Sequence, residues 1–379
     1  MPFFTAQHTG AGMNITCKTV RGIGPEIIRE GLKVLRAVEK KFGHVFSCMH
    51  APFGAGAYFT HGSPFPEITK KICDEADGII KGPVGLAVED MRRIPPEHRP
   101  EAGAILPLRK RYDTYINYRP VLLPEALAFF SPLKPEIIGS GIDIMMIREL
   151  VGGIYFGKKT EGKDTEMKYA SDDCEYTAVQ VKRIAHAAFL EARRRKSKLV
   201  NVHKANVLAT SRFWNEITEA EAKEFPDVPY ESILVDNAAF QLVKNPRQFN
   251  GVMLLENMQG DILTDQAGGV IGSLGLMPSA CIGPEKGYVE PAHGSAPDIA
   301  GMNKANPYSM IGSVAFLLDK CFGLTKEADT VWQALFSVFA EGYLTSELSA
   351  FAGPGKRILT TSAFGDITAE KVEKAGFPQ

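Results

Sequence analysis

The sequence predicts an α/β fold with helices on both faces of a sheet. Two observations carry that prediction. Helix and strand signals alternate from end to end, and no internal repeat or low-complexity linker interrupts them. From Pro25 to Lys41, Ile27, Ile28, Leu32, Leu35 and Val38 recur at helical spacing, with Pro25 suited to a helix start. Gly78-Ile79-Ile80 and the run Asp143 to Ile147 read as short buried strands. Val179 to Arg195 is amphipathic with a basic end, and Leu199 to Val202 reads as the next strand. Gly152 to Asp173 is rich in Gly, Lys and Asp after an apolar run. It reads as a protruding arm or hairpin, or equally as a surface loop.

The chain has 379 residues, 45% of them hydrophobic, enough for one large core or two linked ones. A formal net charge of −1 offers no basic footprint for nucleic acid. No apolar stretch approaches the roughly 18 residues of a membrane span. Met1 to Asn14 has no apolar core of a signal peptide, and Met13 is a candidate start. Six cysteines are scattered without a C-x-x-C pair, which fits reduced thiols in the cytoplasm better than a zinc or iron–sulfur site.

Four local patterns carry chemistry. In Gly260-Asp261-Ile262-Leu263-Thr264-Asp265 the two aspartates are four apart, so a helix puts both carboxylates on one face. A hard cation, Mg2+ or Mn2+, would relieve their repulsion; a solvated acidic helix start is the plain alternative. Arg109, Arg119 and Arg148 sit in apolar or turn settings and suit bidentate carboxylate capture, unless each is an ordinary ion-pair arginine. Tyr155 and Lys204 form a possible phenol–ammonium acid–base couple, or a core tyrosine and a surface lysine. Glu290 to Gly301 is dense in turn formers, with Ser295 and backbone N–H groups available to phosphates. No G-x-G-x-x-G joins a strand to a helix and no Walker A motif occurs, so a dinucleotide would not be held in the Rossmann manner.

Taken together, these segments resemble the β-decarboxylating dehydrogenases that act on isocitrate, isopropylmalate, homoisocitrate and tartrate. The resemblance runs from about Gly22 to the C-terminus. It rests on Gly22-Ile23-Gly24-Pro25-Glu26, Arg148 to Gly157, Lys204 to Leu208, Gly260 to Asp265, and His293 to Gly301, in that order. The isopropylmalate branch is the nearest, which implies NAD-dependent oxidative decarboxylation of 3-isopropylmalate in leucine biosynthesis. A tartrate- or malate-type enzyme and a non-catalytic structural or regulatory homologue are the other readings.

The resemblance implies a doubly wound sheet split over two domains, 1–114 with 272–379 on the cofactor side, and 115–271 for dimerisation, substrate and metal, with an arm near 152–178. It places Asp236, Asp261 and Asp265 on the metal, with Asp236 also beside substrate, and Arg109, Arg119 and Arg148 on the substrate carboxylates. Tyr155 and Lys204 become the acid–base residues, and Lys204 and Asp236 come from the partner of a homodimer. Cofactor contacts fall to Ile23, Gly24, Glu101, Asn206, Glu290, His293, Gly294, Ser295, Ala296, Asp298, Ile299 and Asn306.

Two departures stand out. Val20 and Arg21 replace the usual Gly-Asp before Gly22, reversing a charge beside the expected nicotinamide end. Lys81-Gly82-Pro83 is closer to the isocitrate branch. Against that, Ile105 and Leu106 stand where the isocitrate branch supplies a Ser and an Asn for the extra carboxylate. Aliphatic side chains leave a carboxylate unpaired but can enclose an isopropyl group, unless they are simply core.

Overall fold

Pro25 in the first turn and Gly43, left-handed at φ 79° just past the last, bound the helix Gly24–Phe42 in the computed structural model of the chain. The structure describes residues 13–19, 22–85, 89, 92–163, 168–351, 353 and 355–376. Val20 and Arg21 lie outside them. The described residues divide into two compact units, one from 1–114 and 272–379, the other from 115–271.

In the first unit the strands Phe46–Pro52, Met13–Thr19, Gly78–Lys81 and Gly287–Pro291 run parallel in that order, and Pro278–Ile282 closes the row antiparallel to Gly287–Pro291. Four-residue strands such as Gly78–Lys81 are buried throughout, as parallel strands covered by crossover helices must be. The helix Tyr308–Phe316 is buried along its whole length. Gly22 sets the entry to the first helix. At φ 77° it is left-handed, and a Cβ there would stand 2.1 Å from the Ser295 carbonyl oxygen. That close approach lets the Ile23 N–H donate to the Ser295 carbonyl at 2.9 Å.

In the second unit Ile116–Pro124 pairs antiparallel with Gly141–Glu149, and Gly251–Leu255, Leu199–His203 and Tyr230–Leu234 follow in parallel. The strand signal at Asp143 extends at both ends, so that Arg148 lies within the strand and is 1% exposed. The helix Ala178–Arg194 starts at a reciprocal cap between Thr177 and Gln180. Lys159–Lys163 pairs antiparallel with Lys168–Asp172, whose residues are all exposed, the hairpin rather than the loop of the two readings. Both units together make a mixed α/β chain, as the alternation predicts. Among the described residues no helix is long and apolar enough to cross a membrane.

Candidate active site

The helix Asn257–Val270 carries a polar cluster of the second unit. Glu256 caps it, its carboxylate accepting the N–H groups of Gln259 at 2.7 Å and Met258 at 3.2 Å. This cap starts the helix three residues before the Gly-Asp motif, so Asp261 and Asp265 share one face over successive turns. A Cβ on Gly260 would meet the Arg148 side chain at 2.7 Å, so the glycine lets that arginine pass. Arg148 then donates Nη1 to Asp261, and Nε and Nη2 to Asn257 Oδ1 at 3.2 and 2.9 Å. Arg119 donates to Asn117 Oδ1 at 2.9 Å and Thr264 Oγ1 at 2.6 Å, and faces Asp265 at 3.5 Å. Burial, partly offset by Arg119, raises the Asp265 carboxyl above its ordinary range.

Tyr155 reaches the same cluster, its hydroxyl donating to Asp261 Oδ2 at 2.9 Å. Burial first, and then the Asp261 charge, push its phenol up to about 12. It is therefore protonated at neutral pH and able to give a proton. The phenol–ammonium couple is not formed within one chain. Lys204 instead donates to Asp236 Oδ1 at 2.6 Å, and that ammonium holds the Asp236 carboxyl below its ordinary range. The two residues that the resemblance assigns to a partner are thus paired with each other. Among the described residues of one chain, no three His, Cys, Asp or Glu side chains gather to hold an ion. Asp261 and Asp265 supply hard oxygen donors on one face and fit a divalent cation as half of such a site.

The loop leading to Tyr155 is fixed by a residue of the Arg148–Gly157 motif to which the resemblance assigns no role. Glu149, fully buried, accepts the N–H groups of Val151 at 3.0 Å and Gly152 at 2.8 Å. Burial raises its carboxyl from 4.5 to about 7 despite those bonds. In the unfolded chain it ionises earlier, so its contribution to stability falls as pH rises from about 4.5 to about 7. Glu149→Gln is expected to flatten that fall, which denaturant unfolding over the same pH range measures.

In the first unit Arg109 is 8% exposed, and its Nε donates to the Tyr288 hydroxyl at 3.3 Å. Ile105 and Leu106 lie one turn before it. Ile105 is 9% exposed and Leu106 half-buried. Glu101 and Asn206 are exposed, the latter in the second unit. Lys81, which the sequence offers only as a departure from a branch, is fully buried and ion-paired with Glu290.

Ile23, His293, Gly294, Ala296, Ile299 and Asn306 line one cleft of about 310 Å³, together with Ser273, Gly275 and Glu347. That volume is at the low end for ligand sites. His293 Nε2 and Asn306 Nδ2 are shielded there without a hydrogen-bond partner. Such atoms carry a desolvation cost until a ligand supplies the missing partner. Burial holds the His293 imidazole below its ordinary range, so it is neutral at physiological pH. Gly24 opens the helix beside this cleft, where the N-cap Ile23 offers no side-chain cap for the first N–H groups. Ser295 is buried, and Asp298 is exposed in the turn Pro297–Ile299. These groups fit the adenosine half of a dinucleotide.

Residues 14–368 match the model of the isocitrate/isopropylmalate dehydrogenase family. The chain is 45% identical over 353 residues to 3-isopropylmalate dehydrogenase of Thermotoga maritima, covering 93% of this chain and 97% of that one. It is 43% identical to the Vibrio cholerae enzyme of the same name, covering 93% and 95%. Its fold is similar to isocitrate dehydrogenase from Methylococcus capsulatus, with TM-score 0.83, 30% identity and coverage of 96% and 100%. It is also similar to a β-decarboxylating dehydrogenase from Thermococcus kodakarensis, with TM-score 0.75, 30% identity and coverage of 95% and 96%. With a family model matching residues 14–368 and relatives matching over almost its whole length, this chain belongs to the isocitrate/isopropylmalate dehydrogenase family.

Proposed function

We propose that the chain oxidises and decarboxylates 3-isopropylmalate with NAD, a step of leucine biosynthesis. The observation that carries this reading is the cluster of Arg148, Asp261 and Tyr155: a guanidinium, a carboxylate and a protonated phenol within hydrogen-bond reach. NAD, when bound, would supply the hydride acceptor for the oxidation. A Mg2+ or Mn2+ ion would be held by Asp261 and Asp265, with a partner's Asp236 as third ligand, and would supply Lewis acidity to the substrate oxygens. Arg109, Arg119 and Arg148 orient the two carboxylates. Lys204 relays the hydroxyl proton, with Asp236 2.6 Å away as its partner. Tyr155 gives a proton to the carbon from which CO2 has left.

A homodimer follows from the same assignment. Supporting it, Phe240 and Val243 on the helix Val235–Lys244, and Ile262 on Asn257–Val270, are 57, 45 and 60% exposed. Large apolar side chains left open at that extent mark a surface meant to be covered. The cytoplasm is the proposed setting, since the six cysteines are scattered without a C-x-x-C pair.

Leu106 and Ile105 precede Arg109 by three and four residues, the spacing that shares a helix face. A three-carbon branch enclosed there contributes roughly 2 kcal/mol at about 0.8 kcal/mol per carbon. 3-Isopropylmalate is therefore expected to exceed malate by about 30-fold in kcat/KM, with isocitrate the poorest substrate. A spectrophotometric assay of reduced NAD with a panel of substituted malates tests this. Better turnover of tartrate or isocitrate would remove the substrate assignment and leave the family intact.

A further inference from the structure

The Arg148 guanidinium and the Tyr155 loop meet on one side chain that none of the motifs includes. Asn257 is fully buried at the first turn of Asn257–Val270. Its Oδ1 accepts from Arg148 Nε and Nη2. Its Nδ2 donates to the Gly152 carbonyl at 2.9 Å, and its backbone N–H donates to the Tyr176 hydroxyl at 3.0 Å. Arginine offers only donors and a carbonyl only lone pairs, so the amide can lie one way round and no isostere satisfies both ends.

The Gly152 peptide is therefore gripped twice, its N–H by Glu149 and its carbonyl by Asn257. The Tyr176 side chain closes the remaining side, where a Cβ on Gly152 would stand 2.7 Å from the ring and one on Gly153 2.4 Å from the hydroxyl oxygen. Gly153, at φ 70°, then turns the chain into Gly153–Tyr155. One helical turn after Asn257, Asp261 receives both Arg148 Nη1 and the Tyr155 hydroxyl. Two of the three guanidinium nitrogens are thus held by the amide, and the third is aimed along the helix face.

We infer that Asn257 is a positioning residue that sets the Arg148 guanidinium and the Tyr155 loop through the two ends of one amide. The inference rests on the functional reading above for its kinetic consequences but not for its structural one. It acts through Arg148 and Tyr155 and touches no substrate itself.

Asn257→Asp and Asn257→Ala separate the two ends. The aspartate keeps an acceptor for Arg148 and turns an oxygen toward the Gly152 carbonyl. It is expected to speed deuterium exchange of the 151–156 amides by about 10-fold, an opening local to that segment. With 3-isopropylmalate, Mg2+ and NAD, its kcat falls about 10-fold while KM stays within about threefold, and Asn257→Ala also raises KM, by about 10- to 100-fold, the range seen when an outer partner of a site residue is removed. Should the alanine variant not fold, the equal-sized aspartate decides alone. Wild-type exchange at 151–156 in Asn257→Asp overturns the inference, as does faster exchange with kcat unchanged. If wild-type protein does not turn over 3-isopropylmalate, the functional reading fails, and the exchange result still decides whether Asn257 holds the loop.

Discussion

Asp261→Asn is expected to lower kcat/KM by about 10³-fold, and chelation with EDTA to abolish turnover of the unaltered chain. The argument starts from helix geometry. Two carboxylates four residues apart on one face repel, and Asp265 already answers its burial with a raised pKa. Arg148 offsets part of the charge at Asp261 and Arg119 part at Asp265. Burial and the neighbouring carboxylate thus favour proton uptake at Asp265, and a bound cation would instead stabilise both carboxylates in their anionic form. An amide at 261 removes one charge from the donor set and can turn its own N–H groups toward the Arg148 and Tyr155 donors. Asp227, an exposed aspartate paired with Arg193, supplies the comparison: Asp227→Asn is expected to stay within about twofold, the usual reach of a surface ion pair. Calorimetric titration with Mn2+ gives a second readout, with binding lost in Asp261→Asn. Undiminished turnover after EDTA treatment would remove the metal assignment.

The sequence carries the fold through alternating periodicity, and the helix at Pro25 and the strand at Gly78 appear where that pattern puts them, whereas composition alone left the segment after Gly157 open between a hairpin and a loop. Boundaries are less legible, because caps decide them. Nothing in the Gly-Asp motif says that Glu256 starts the helix three residues earlier. The site residues divide in the same way. Arg148, Asp261 and Tyr155 are flagged by chemical type and by resemblance, and the structure brings them together. Asn257 and Tyr288 carry no signal, since each acts through a partner distant in sequence: Asn257 is 109 residues from Arg148, and Tyr288 is 179 from Arg109. Lys81 shows the limit most clearly. A lysine on a short apolar strand reads as a departure from pattern, and only the fold reveals Glu290 beside it. Charge logic also does not reveal the carboxylate beside each of Tyr155 and Lys204, Asp261 for the phenol and Asp236 for the ammonium.

Cofactor choice is expected to favour NAD over NADP by at least about 100-fold in kcat/KM. Asp298 stands exposed in the turn Pro297–Ile299, which follows a left-handed residue, Ala296 at φ 38°, and its neighbour Ile299 lines the cleft with His293 and Asn306. A carboxylate there accepts hydrogen bonds from ribose hydroxyls, each charge-assisted bond worth about 1.5–3 kcal/mol. A 2′-phosphate removes the donor and sets nearly two negative charges against one. Even in a water-like medium that opposes binding by about 1 kcal/mol per unit charge at 4 Å. The two effects add to about 3.5–5 kcal/mol, which spans roughly 400- to 5000-fold and leaves at least about 100-fold after partial solvent screening. Asp298→Lys reverses the local charge and is expected to bring the ratio below about 10, with most of the change in the Michaelis constants of the two cofactors. The same ordering should appear in direct titration without substrate, because the discrimination is one of binding and precedes any chemistry. Equal catalytic efficiency with NAD and NADP in the unaltered chain would mean that Asp298 shapes its turn and does not read the ribose.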